Sequence, residues 1–243
     1  MTLEMATRNY TARQTTARTH SEHPMTLNML TLQESDAAPR TVGTRLRQLS
    51  HPLTEIFMAL LPKIDVNGSS KVTIALGPQG DEEAFDNVLG VTCVFIEDFD
   101  FKHFLAQDPA TQNNQLLELL RQNLIAIATR KGENAQAVDA INATADAVAQ
   151  AQFQLTLPIK KLSKSSKDRK TRFDIFRRLD SAVGEAWYCE VTRPGAEAAE
   201  KICMNDLPGL IDRRDFFKTA EVTDSGYSVK NRFGKVVFQA PLA

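Results

Sequence analysis

The hydrophobic period of this chain changes near Gln152, and that change limits what it can fold into. Before it, Leu116, Leu120, Leu124 and Ile127 fall on one stripe of a 3.6-residue repeat, and Val138, Ile141, Ala145 and Val148 on a second. After it, Phe153, Leu155, Leu157 and Ile159 alternate with polar residues, the pattern of a strand with one buried face. A chain that keeps its helices and strands in separate stretches belongs to the α+β class rather than to a regular parallel βαβ fold. The expected architecture is a mixed or mainly antiparallel sheet, a helical hairpin at about 109–150 packed on it, and a β-rich C-terminal half.

Local signals fill in this outline. Asp108-Pro109 is an N-cap followed by a first-turn proline, and Lys131-Gly132 stops the helix they start. A second helix is predicted from Asn134 to Gln150. Upstream, Leu46, Leu49, Leu53, Ile56, Phe57, Leu60 and Leu61 have helical spacing. Pro52 lies among them and predicts a break between two helices. Val72, Ile74 and Leu76 predict a strand ending at Gly77-Pro78-Gln79-Gly80, followed by a short helix over Asp81–Val88. Residues 91–96 are apolar almost throughout, which predicts a central strand buried on both faces. Downstream, Arg172–Arg177 is the expected return strand, and Trp187, Cys189 and Val191 the buried row of the next. A short helix is predicted over 195–204. Strands are predicted at 220–222, 227–229 and 236–238, the first two joined by a turn at Asp224-Ser225-Gly226.

Residues 1–42 are rich in Thr, carry scattered Arg and lack periodicity. They predict a disordered N-terminal arm, leaving 43–243 as a single α+β domain. Residues 1–24, whose only acids are Glu4 and Glu22, have loosely the composition of an organelle transit peptide. The repeat of Met-Thr-Leu at 1–3 and 25–27 favours a different reading, a dispensable tail with Met25 as an alternative start. Cys93, Cys189 and Cys203 are odd in number and form no CxxC pair, which suits buried thiols in a reducing, cytoplasmic setting. No apolar run approaches the ~18 residues of a membrane span, and no secretory h-region is present.

The net charge of −1 selects no partner class. Its distribution is uneven. Residues 160–178 hold nine Lys or Arg against Asp168 and Asp174, a local +7 that leaves −8 elsewhere. Lys160, Lys161, Lys164, Lys167, Arg169, Lys170 and Arg172 are the candidate binding residues, on a basic hairpin whose flexible, exposed loop runs from Ser163 to Lys170 between two strands. Such a loop suits an acidic protein surface or a phosphate backbone. Only Phe173 and Phe176 are nearby, with Phe173 expected in the core, so base stacking is not indicated.

Other motifs are weaker. Glu97, Asp98 and Asp100 follow the most apolar strand, with Lys102 beyond and Asp86 upstream. A carboxylate pair holding Mg²⁺ beside a lysine resembles the PD-(D/E)xK nuclease pattern. The chain departs from it in lacking a Pro-Asp pair and in setting Asp100 after the strand. Asp81, Glu82 and Glu83 would repel a phosphate from the Gly77–Gly80 loop. Asp212-Arg213-Arg214-Asp215-Phe216-Phe217-Lys218 reads as a salt-bridged helix or turn. His51 and His103 are the only bases outside the arm, no Gly-x-Ser-x-Gly elbow occurs, and Cys and His do not cluster for zinc. The chain is therefore expected to have no catalytic residues, metal or cofactor. The leading expectation is a non-catalytic protein-binding accessory protein, of a bacterial immunity or regulatory type, with an acidic partner. The alternatives are a nucleic-acid-binding protein using 160–178 and a metal-dependent nuclease built on Asp100 and Lys102.

Overall fold

The computed structural model describes residues 25–39, 43–180, 184–205 and 212–242. It has the mixed α+β architecture that the change of period predicts. The first sheet contains β1 (Met29–Glu34), β2 (Lys71–Leu76), β3 (Phe85–Val88) and β4 (Val91–Ile96), in the order β1-β2-β4-β3. β1, β2 and β4 run parallel, and β3 is antiparallel to β4. Leu30, Leu32, Val72, Ile74 and Val94 share one core with α1 (Gly43–Leu60), α3 (Pro109–Ala128) and α4 (Ala135–Gln150). The short α2 (Phe101–Ala106) adds Phe101 and Phe104.

The predicted helical hairpin is α3–α4. Asp108 caps α3 by accepting from the N–H groups of Ala110 and Thr111, and Asn134 caps α4 by accepting from Ala137 N–H. Their apolar stripes meet the core: Leu116, Leu120, Leu124, Ile141 and Val148 are fully buried.

Five expectations change. The arm predicted through residue 42 overlaps the fold, because residues 29–34 are β1, in parallel register with Lys71–Leu76, with Leu27, Leu30 and Leu32 buried. Residues 1–24 lie outside the described residues. α1 is one continuous helix through Pro52. An internal proline costs roughly 3 kcal/mol, which complete burial of Leu46, Leu53, Ile56 and Phe57 outweighs. Residues 85–88 are a strand, not the end of a helix. Asn87 and Leu89 take φ of 51° and 52°, outside helical range, and no apolar stripe favours a helix there. β4 buries Thr92 and Val94 while its alternate residues are half-exposed, so it is covered on one face rather than both. Residues 200–203 form β9 rather than the helix predicted over 195–204, because the ladder to β8 overrides local preference.

The β-rich half holds two antiparallel sheets. One contains β5 (Gln154–Pro158), β6 (Lys164–Ser165), β7 (Arg172–Asp180), β8 (Gly184–Thr192) and β9 (Glu200–Cys203), in the order β5-β7-β8-β9 with β6 also paired to β7. The other contains β10 (Thr219–Thr223), β11 (Gly226–Lys230) and β12 (Val236–Ala240). Phe173, Ile175, Trp187, Cys189 and Val191 face Phe217, Tyr227 and Val229 in a second core. The Phe173 and Tyr227 rings stack at 4.7 Å, and the Tyr227 hydroxyl donates to the Leu162 carbonyl at 2.9 Å. Each buried ring contributes about 1.5–3 kcal/mol. α1 packs on β1, α3 and α4 and also on β5, β7 and β8, so it belongs to both halves. Among the described residues, no helix is long and apolar enough to cross a membrane.

Candidate functional site

The alternation of β7 decides which of the basic residues reach water. Phe173, Ile175 and Leu179 point into the core, and Arg177 shares their parity and is buried with them. Arg172, Asp174, Phe176 and Arg178 lie on the opposite face.

The loop before β7 is a hydrogen-bonded turn rather than the slack segment expected. β6 pairs Lys164 with Phe173 and Ser165 with Arg172. Ser166 N–H donates to the Thr171 carbonyl at 2.9 Å, and Thr171 N–H donates to the Ser166 hydroxyl at 3.0 Å. Arg169 N–H donates to the Ser166 carbonyl, with Arg169 itself at φ 59°. The Ser166 hydroxyl and Lys170 N–H both donate to Asp168 and hold its carboxyl below the usual range.

This turn presents the predicted residues together. Lys160, Lys161, Lys164, Lys167, Arg169, Lys170 and Arg172 are all exposed. Lys167 is paired with Asp224 of the β10–β11 turn at 2.8 Å, and that hydrogen bond raises its pKa. Arg172 is paired with Asp174 at 2.7 Å. Lys160, Lys161, Lys164, Arg169 and Lys170 form no ion pair among the described residues. Burial of Arg177 and pairing of Arg178 with Asp180 at 2.7 Å take two charges out of the +7 counted along the sequence.

The hairpin borders an open sheet face. Phe176 on β7 lies directly opposite Tyr188 on β8, both half-exposed. Lys201 of β9 holds its Nζ 4.1 Å from the centre of the Tyr188 ring. With Gln154, Thr156 and Arg178 these residues line a shallow hollow of about 470 Å³. The sequence offers only the hairpin's own Phe173 and Phe176 as nearby rings; the β7–β8 ladder adds Tyr188, which sequence reasoning missed. Its signal was present: once Trp187, Cys189 and Val191 are the buried row, Tyr188 must face the other way.

Glu185 carries the other notable polar cluster, also missed. It is wholly buried, and its carboxylate accepts from His51 Nε2 at 3.0 Å, Trp187 Nε1 at 2.6 Å, Arg213 N–H at 2.9 Å and the Arg177 guanidinium. Burial would raise its pKa, but the hydrogen bonds from His51, Arg177 and Trp187 and the Arg177 charge outweigh it and bring the value to about 2. Arg177 also donates to Glu55 at 2.8 Å, and Glu55 accepts from Arg214 at 3.1 Å. Glu185 thus stays anionic with every oxygen engaged, which suits a structural joint better than proton transfer.

The remaining motifs do not assemble. Asp100 caps α2 by accepting from His103 N–H. Asp86 bonds Asn67 and pairs with Arg130 at 3.2 Å. Asp86 lies beside the start of β4 and Asp100 beyond its end, so these two carboxylates sit at opposite ends of the strand. Among the described residues, no group of three or more His, Cys, Asp or Glu could hold a metal ion. In the Asp212–Lys218 segment, Phe217 is a core anchor, and Arg214 and Lys218 pair with Asp212 and Asp215. Cys189 is buried, which pushes its thiol up to about 12. Cys93 is half-buried and Cys203 exposed, so the expectation of three buried thiols holds for Cys189 alone. Comparison with protein-family models, curated proteins and solved structures finds no match to this chain.

Proposed function

We propose that this protein is a non-catalytic binding protein that engages nucleic acid through the hairpin of residues 160–172. The observation that carries this reading is the array of five exposed cations without ion-pair partners among the described residues, Lys160, Lys161, Lys164, Arg169 and Lys170, on and just before a closed turn at one end of the sheet that carries Phe176 and Tyr188. A turn whose backbone is already closed brings its cations to phosphates without first ordering the loop, and the exposed rings of β7 and β8 offer stacking surfaces. Fluorescence anisotropy with labelled oligonucleotides at 50–200 mM salt, as an approximate working range, tests it. Affinity should fall with salt, with a log–log slope of about −0.9 per neutralised phosphate on duplex DNA and about −0.7 on a single strand. Replacing the five cations with Ala should flatten that slope and abolish tight binding. Binding equal to wild type would sink the proposal.

The acidic-protein reading is favoured by a different observation. Asp168, Asp174 and Asp224 sit among the cations, a mosaic of both signs that matches a protein surface. Binding to a polyglutamate peptide but to no oligonucleotide, lost in the same five-residue variant, would select it.

A further inference from the structure

We infer that the nucleic acid is a single strand, laid across the open face of the β5-β7-β8-β9 sheet with bases stacked on Phe176 and Tyr188. This inference rests on the nucleic-acid reading above. The two rings are cross-strand neighbours on the solvent side of a sheet whose other side is packed. Phe176 lies four residues along β7 from Arg172 on the same face, roughly 13 Å at strand rise, so the rings lie in line with Arg172 at the base of the hairpin. A duplex keeps its base faces covered and cannot use such rings; an unpaired strand can.

The charges between hairpin and rings point the same way. Asp174 and Glu190 form a cross-strand pair between Arg172 and Phe176. These carboxylates repel phosphates passing directly over them, while carboxylates accept hydrogen bonds from exocyclic base amines. Bases therefore face the sheet, and the backbone runs past Arg172 at one end and beside Arg178 and Lys201 at the other. Lys201 stands over Tyr188 on a flexible stem. An incoming base takes its place on the ring and frees its ammonium for a phosphate.

The test is anisotropy with a labelled oligonucleotide of about 20 nucleotides, somewhat longer than the roughly 4–16 that such sites cover, as single-stranded DNA, as RNA and as duplex. Wild type should prefer the single strands. Phe176→Leu and Tyr188→Leu, with folding checked by circular dichroism, should each weaken single-strand binding about tenfold or more. Tyr188→Phe should bind like wild type. If both leucine variants bind single strands unchanged while the five-cation variant does not, the stacking inference fails and the phosphate reading stands. If wild type binds neither single strand nor duplex, the nucleic-acid reading itself fails.

Discussion

Replacing Glu185 with Ala removes a carboxylate that joins α1, β7 and β8 to the segment leading into β10. Among the described residues, the substitution leaves Arg177 with Glu55 as its only carboxylate partner, and strips Trp187 Nε1 and Arg213 N–H of their acceptor. Breaking a buried ion pair by deleting one partner costs about 3–5 kcal/mol. For a domain of this size each kcal/mol shifts Tm by about 2–4 °C, so the expected drop is roughly 6–20 °C. The pH dependence gives a second measure. Glu185 is held at about 2, well below the ordinary glutamate value of 4.5. A depressed carboxyl stabilises the fold above the unfolded value and loses that contribution as pH falls through the folded one. The shift corresponds to about 3 kcal/mol, lost between about pH 4.5 and 2. Urea unfolding followed by circular dichroism across this range should show a steep acid limb in wild type and a shallower one in Glu185→Ala. A Tm change under about 2 °C, or an unchanged acid limb, would refute the argument that this carboxylate is a buried, fully engaged anion.

Three further perturbations bear on the fold and the hairpin. Asp224→Ala should leave thermal stability unchanged, since exposed ion pairs contribute little, and should tighten oligonucleotide binding in anisotropy by releasing Lys167. Gly226→Ala should destabilise by about 1–3 kcal/mol in urea titration, because Gly226 sits at φ 141° and an added Cβ would lie 2.6 Å from the Ala240 carbonyl oxygen. In thiol titration of the folded protein, Cys203 should react readily and Cys189 only after unfolding, given the burial that pushes its thiol up to about 12.

What was legible in the sequence follows from the range of each signal. The α3–α4 hairpin rests on contacts a few residues apart, the caps at Asp108 and Asn134 and two apolar stripes, and these are readable without a partner. β1 is different. Leu30 and Leu32 give only a short alternation in a Thr-rich stretch, and β2, which makes it a strand, lies some forty residues on. β3 and β9 are short and largely exposed, and exist because β4 and β8 offer them ladders. At the candidate site the cations were legible but their pairing was not, since Asp224 reaches Lys167 across 57 residues. Arg177 was open to misreading for a further reason. Its parity with Phe173 and Ile175 places it inside, but a charge at a core position reads as surface until Glu55 and Glu185 are seen to receive it.

The position of α1 has a practical consequence for dividing the chain. Its His51 and Glu55 reach into the β-rich half to meet Glu185 and Arg177. An expression fragment starting at Gln154 would keep both sheets but open that charged joint to water, along with the face of Leu179 that packs in the helical core. A fragment ending at Gln150 would leave α1 with one flank bare. Boundaries drawn at the change of hydrophobic period, where the sequence looks easiest to cut, are thus the ones expected to yield insoluble halves, and co-expression of the two halves should restore what each lacks.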